Sequence, residues 1–202
     1  MIAVDTPHGP AHVHLHEAPG PGAALVIGHG AGGGVGAKDI VAATDAALGL
    51  GFSVALVEQP YRVAGRKSPA PASQLDTAWR AVVEHLCENE LAGLPLVAGG
   101  RSLGARVACR TAADTGALGV LCLAFPVHPP GRPEKSRLEE LDAVAVPVLV
   151  VQGDSDPFGM PPAAAGRTVV TVAGDHGLKK DLAAVAGAVR DWLPRFSPAG
   201  SR

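Results

Sequence analysis

The sequence predicts an α/β fold, a mostly parallel central sheet with helices on both faces. Two observations lead there. Apolar runs of strand length alternate with longer stretches of helical spacing. The strand-like runs are also apolar along their whole length, as strands covered on both faces are. With 47% apolar residues in 202, the chain can bury a substantial core.

Taken in order, "AHVHLHEA" (11–18) alternates as a half-exposed strand does, and "AALVIGHG" (23–30) is a buried strand ending in glycine. "KDIVAATDAALGLG" (38–51) reads as a helix stopped by glycine, and "FSVALVEQP" (52–60) as a buried strand closed by proline. In "SQLDTAWRAVVEHLCENEL" (73–91), Leu75, Ala78, Trp79, Val82, Val83, Leu86 and Cys87 keep helical spacing. Ser73 and Asp76 resemble a capping box at its start. A strand at 94–100 and a helix at 103–116 follow, then strands at 119–125, 146–154 and 167–174. An amphipathic helix at 178–196 closes the pattern. Segments 60–73 and 125–140 read as surface loops. No repeat or linker interrupts this pattern, so 1–202 is expected to form one domain.

The net charge of −2, with 18% charged residues, leaves no electrostatic footprint for nucleic acid and no basic patch for a membrane surface. No apolar run reaches the length of a membrane span, and "MIAVDTPHGP" lacks the basic start and apolar centre of a signal peptide. Cys87, Cys109 and Cys122 are odd in number and lie in apolar segments, which predicts free buried thiols. The expectation is a soluble, cytoplasmic protein.

The chemistry centres on "GGRSLGARVA" (99–108). Ser102 stands where a strand gives way to a helix, in the pattern G-x-S-x-G formed by Gly100 to Gly104. Flanking glycines allow a tight turn that holds the hydroxyl above the sheet edge. The helix that begins at Leu103 offers its N–H groups and positive dipole end to a developing oxyanion. A nucleophilic serine needs a base, and the base needs an orienting carboxylate. Only His128 and His176 lie downstream, and Asp154 and Asp156 follow the strand at 146–154. His176 and both aspartates leave from the carboxyl ends of parallel strands, where open sheets collect their ligands. "GHGAGGG", Gly28 to Gly34, can bring a second backbone N–H against a substrate oxygen. By letter it also fits a dinucleotide loop, but Glu58 is the one acid that closes the next strand at about the usual distance.

With "VIGHGAGGG", "GGRSLGARVA", "VQGDSDPFG" and "GDHGLK" in place, the chain resembles the α/β-hydrolase superfamily over nearly its whole length. It is most similar to a lidless branch near the dienelactone hydrolases, with the hydrolase-like domains of testis-expressed protein 30 and of the NSL complex third subunit. The resemblance implies an α/β-hydrolase fold with no cap domain. It implies Ser102 as nucleophile, His176 as base and Asp156, in the strand-end pattern G-x-x-D, as orienter. It implies oxyanion donors at the N–H groups of Ala31 and Leu103. Dienelactone hydrolases carry Cys where this sequence has Ser102.

An open cleft is expected at the sheet's carboxyl edge, bordered by 29–34, 60–67, 126–130 and 155–160. Gly30, Tyr61, Arg66, Arg101, His128 and Phe158 are the expected substrate contacts. Arg101 and Arg106 have an equally simple use as members of structural ion pairs. His12, His14 and His16 alternate on one strand face, roughly 7 Å apart per pair. No neighbouring motif completes a metal site there, so neither metal nor other cofactor is expected. Two functions are consistent with the whole: a serine hydrolase of small carboxylic esters or related acyl compounds, and a catalytically silent hydrolase-like interaction domain. Retention of Ser, His, Asp and a glycine-rich loop together favours the first, and labelling by a fluorophosphonate separates them.

Overall fold

The computed structural model describes residues 1–197. Its strands are β1 (Ile2–Val4), β2 (Ala11–His16), β3 (Ala23–Gly28), β4 (Phe52–Glu58), β5 (Leu96–Arg101), β6 (Gly119–Leu123), β7 (Val148–Gly153) and β8 (Arg167–Val172). They form one sheet in the order β1-β2-β4-β3-β5-β6-β7-β8. The six strands from β4 to β8 along this order are parallel, and β2 and β1 add antiparallel to the β4 edge. Among the described residues no separate cap domain stands over the sheet. Among the described residues no helix is long and apolar enough to cross a membrane.

The burial of each strand follows its sequence. β3 and β7 are buried at every position, and β4 at all but Glu58. In β2, Ala11 and Val13 face the core while His12 and His14 face outward. His14 pairs across to Glu58 of β4, Nε2 to Oε2 at 3.0 Å. β8, at the far edge, is buried only at its two ends.

Helices α1 (Lys38–Leu48), α2 (Pro60–Val63), α3 (Ala72–Glu88), α4 (Leu103–Thr111), α5 (Leu138–Asp142) and α6 (Leu182–Trp192) complete the layers. On one face α3 and α4 bury Leu75, Trp79, Val83, Leu86 and Val107 against Val26, Ala98 and Val120. On the other, α1 and α6 bury Ile40, Ala43, Val185 and Trp192 against Leu25, Leu121 and Leu149. Trp79 is fully buried, and removing a side chain of that size from a core costs about 3–5 kcal/mol.

The structure departs from the sequence reading at several places. β1 is too short for periodicity to reveal it. The segment 60–73 opens with the single turn α2, whose Pro60 sits at the first helical position, where proline is well tolerated. The segment 125–140 runs into the five-residue α5. The expected capping box at Ser73 and Asp76 is absent. Pro71 occupies the cap position, and Asp76 instead holds Arg110 through two hydrogen bonds of 2.8 and 2.6 Å. The last helix begins at Leu182 rather than 178, capped by the Asp181 side chain on Ala184 N.

The topology creates one crevice. β3 leads through α1 to β4 on one side, while its neighbour β5 leads through α4 to β6 on the other. The loops after β3 and β5 therefore diverge, leaving a gap at their carboxyl ends where a ligand can sit.

Candidate active site

Ser102 occupies the turn between β5 and α4 with φ 51° and ψ −106°. A non-glycine residue in this region is strained by roughly 1–3 kcal/mol, and such positions persist where the surroundings enforce them. The enforcement here is local. Ser102 N donates to Leu123 O at 2.9 Å, extending the ladder to β6. A Cβ at Gly100 would collide with Gly104, and one at Gly104 would collide with the Gly28 carbonyl. The two glycines of the G-x-S-x-G pattern thus let α4 start directly against the ends of β5 and β3.

The Ser102 hydroxyl meets His176 at Nε2, 2.9 Å away, and His176 Nδ1 meets Asp156 Oδ2 at 2.8 Å. The Asp156 side chain is only 1% exposed, against 16% for His176. A buried carboxylate must have its lone pairs satisfied. Asp156 Oδ1 accepts from Phe158 N at 2.8 Å, and Oδ2 also accepts from Gln152 Nε2 at 2.8 Å. The Phe158 ring stacks on the imidazole, with centroids 4.0 Å apart and planes inclined by 28°. Packing and hydrogen bonding together fix the imidazole orientation between serine and carboxylate.

Asp154, the other candidate acid, lies exposed and accepts from Gly174 N at 3.0 Å. That bond holds its carboxyl below the usual carboxylate range. It ties the β7 loop to the β8 loop and does not touch the imidazole through a hydrogen bond.

Leu103 is the first residue of α4, so its N–H has no acceptor within the helix. Gly30 and Ala31 follow β3 across the crevice. Tyr61, an expected substrate contact, is 4% exposed, and its hydroxyl faces the Ala31 carbonyl at 3.4 Å. Burial raises the pKa of its phenol. It therefore backs the glycine loop. Arg66 is exposed and borders a cavity of about 500 Å³ together with Tyr61, Lys67 and Gln74. His128 lies against the Asp156 loop: its main-chain N–H donates to Phe158 O at 3.0 Å and its Nδ1 to Pro129 O at 2.9 Å.

Arg101, weighed as a substrate contact or an ion-pair member, makes an ion pair and also borders the crevice. Its Nε donates to Asp39 Oδ2 at 3.0 Å and its Nη2 to the His176 carbonyl at 2.9 Å. Burial, the largest influence on Asp39, pushes its carboxyl up, while Arg101 and the Ile40 N–H pull it down. Arg106 is likewise engaged, with two hydrogen bonds to Glu140 at 2.8 and 2.6 Å.

His29, the first residue of the 29–34 stretch expected to border the cleft, was not singled out by the sequence reading. It is 2% exposed, donates from Nδ1 to Gly30 O at 2.8 Å and accepts at Nε2 from Gln59 N at 3.2 Å. Burial, opposed by the Gly30 carbonyl, lowers its pKa below the ordinary histidine value. The folded ring thus stays neutral where the unfolded one, titrating near ~6.5, takes up a proton. The contribution of His29 to stability is complete above that pH and is lost as pH falls below it. Urea unfolding of the wild type should accordingly weaken from pH 7 to pH 5. His29→Gln should show a flatter dependence over the same range, and an equal slope in both proteins would remove His29 as a cause.

Among the described residues no group of three or more His, Cys, Asp or Glu side chains is placed to hold a metal ion. Glu58, the acid that a dinucleotide reading requires, is engaged by His14. A cavity of about 550 Å³ lies beside the glycine loop, bordered by Gly32, Gly34, Lys38, Arg101, Gly177 and Lys179. A larger one of about 750 Å³ lies away from Ser102, among Asp76, Arg110, Glu140 and Val146.

Residues 21–184 match a protein family described as an alpha/beta hydrolase domain. The chain belongs to the α/β-hydrolase family. Solved structures share the fold of this α/β-hydrolase at low identity. A serine hydrolase without lid from Xanthomonas campestris superposes with TM-score 0.78 at 24% identity, covering 98% of this chain and 94% of that one. Est1E from Butyrivibrio proteoclasticus, solved with ferulic acid bound, gives 0.79 at 18% over 97% and 99%. A dienelactone hydrolase from Anabaena variabilis gives 0.78 at 16% over 97% and 96%.

Proposed function

We propose that this α/β-hydrolase cleaves small carboxylic esters or related acyl compounds through a covalent acyl-enzyme. The observation that carries the reading is the continuous chain from Ser102 Oγ through His176 to the buried Asp156, at 2.9 and 2.8 Å. His176 Nε2 takes the hydroxyl proton as Ser102 Oγ attacks the substrate carbonyl. The oxygen of the tetrahedral intermediate receives the N–H groups of Ala31 and Leu103. Collapse breaks the ester C–O bond, and the proton on His176 passes to the departing alcohol. Water then attacks the acyl-Ser102 carbonyl, giving its proton to His176, and the acid leaves as Ser102 regains a proton. Asp156 keeps Nδ1 protonated and stabilises the imidazolium at each stage. The hydrogen-bonded Ser102, His176 and Asp156 support this reading over a silent interaction domain. A place in the dienelactone-hydrolase-like branch, and action in the cytoplasm, belong to the same proposal.

Acyl transfer through serine should leave a kinetic trace. Rapid mixing with p-nitrophenyl acetate is expected to release a burst of about one p-nitrophenol per chain before steady turnover, where deacylation is the slower step. Absence of both burst and turnover in folded protein would oppose the proposal.

The lack of a cap leaves little apolar wall over Ser102. Burial of acyl methylenes contributes about 0.8 kcal/mol each only where they leave water. Two- to four-carbon acyl esters should therefore be hydrolysed with higher kcat/KM than eight- to twelve-carbon ones. A steady rise from two to twelve carbons would contradict an open site.

A further inference from the structure

The base of the proposed triad sits in the loop after β8, which the buried Leu178 roots in the core. β8 is the sheet's edge strand, and Asp175, Lys179 and Lys180, around His176, are exposed. Several hydrogen bonds anchor this loop to the turn after β7. Ser155 N and Oγ both donate to Gly174 O, at 3.0 and 2.9 Å, and Gly174 N donates to Asp154. Others stay within the loop, such as Gly177 N to Asp175 Oδ1 at 2.8 Å. None of these reaches across to the nucleophile.

Arg101 does. It ends β5, immediately before Ser102, and its Nη2 donates to the main-chain carbonyl of His176 itself at 2.9 Å. The guanidinium is held in turn by Asp39, whose side chain is 1% exposed and which lies in the first turn of α1. A planar fork with several donors can serve two acceptors at fixed angles, which a lysine ammonium on a flexible stem cannot do as rigidly. The glycine loop rests on the same group. A Cβ at Gly30 would come within 2.8 Å of Arg101 Nη1, so a side chain there would displace the guanidinium. One side chain therefore touches the base's backbone, the glycine loop and, through the chain, the nucleophile.

We propose that Arg101, buttressed by Asp39, is a positioning residue that sets the distance between His176 and Ser102. This rests on the reading of Ser102 and His176 as nucleophile and base. The fork holds the His176 main chain at the height where Nε2 meets Oγ, and the buried Asp39 holds the fork. Displacement of a reacting group by about 1 Å can cost 10²-fold in rate. A residue that acts this way lowers kcat and leaves substrate binding alone.

The test uses the full chain, with the wild type, Arg101→Gln, Arg101→Lys and Asp39→Asn assayed on a short p-nitrophenyl ester and on a fluorophosphonate. Arg101→Gln is expected to lower kcat by roughly 10- to 100-fold with KM within about twofold, and to slow fluorophosphonate labelling in parallel. Arg101→Lys should recover only part of the loss. The proton NMR signal of the His176 Nδ1–H, far downfield when it is hydrogen-bonded to Asp156, should broaden or shift in Arg101→Gln. Assigned core amide signals should stay in place. A rise in KM with kcat unchanged would make Arg101 a substrate contact and overturn the proposal. Wild-type kcat and an unchanged downfield signal would overturn it as well. If Arg101→Gln does not fold, Asp39→Asn decides: a fall in kcat alone supports the clamp, and unchanged kinetics reject it. Failure of the wild type to react with either reagent would instead strike the hydrolase reading.

Discussion

Ser102→Ala is expected to lower kcat/KM for a short ester by about 10³-fold or more while leaving the fold in place. The hydroxyl supplies the attacking oxygen, and what remains without it is the residual rate that oxyanion donors and binding provide. The side chain is partly exposed and makes its hydrogen bond to His176. Its loss should change stability by no more than about 1.5 kcal/mol, the net contribution of one hydrogen bond. Turnover of p-nitrophenyl acetate and urea unfolding, measured on the same preparation, check both halves. An Ala variant that kept a tenth of wild-type activity would remove Ser102 from the nucleophile's role.

Asp156→Asn should cost nearly as much, about 10³- to 10⁴-fold in kcat. The carboxylate accepts three hydrogen bonds, from His176 Nδ1, Phe158 N and Gln152 Nε2. An amide has one oxygen for these donors, and its NH2 must face at least one of them. The imidazole then loses the partner that fixes its tautomer. Asp154→Asn should change the rate by less than about threefold, because the Asn oxygen can still accept from Gly174 N as Asp154 Oδ1 does now. Steady-state kinetics of the two variants side by side give the ranking, and the reverse order would pass the orienting role to Asp154.

The layers of this fold were legible because its strands are unambiguous. "LVIG", "VALV" and "VLVV" are short, rich in branched residues and apolar on both faces, as strands of a sheet covered on both sides are. The turn at Ser102 was legible for a related reason: two glycines around one serine mark a place where Cβ atoms have no room. Short elements were not readable. β1 and α2 hold three and four residues, too few for either periodicity to show. Asp39 and Gln152 were also hidden, since each is a polar residue within an ordinary-looking helix start or strand end. An oddity was present in Gln152, a lone amide at the end of a fully buried run. Its reach to Asp156 depends on how the β7 loop folds back, which sequence spacing does not encode. Arg101 shows the same limit. Its position beside the nucleophile suggested a ligand contact, and only the tertiary structure reveals that Asp39, 62 residues earlier, holds it.

Whether Ser102 is an activated nucleophile can be read from the site of a covalent label. The full chain would be treated with a fluorophosphonate, digested and sequenced by mass spectrometry. About one phosphonate per chain is expected, carried on Ser102. The reaction should be much slower in a His176→Ala variant, which lacks the base. A folded wild-type protein that takes no label, or takes it at another residue, would show that Ser102 is not the nucleophile.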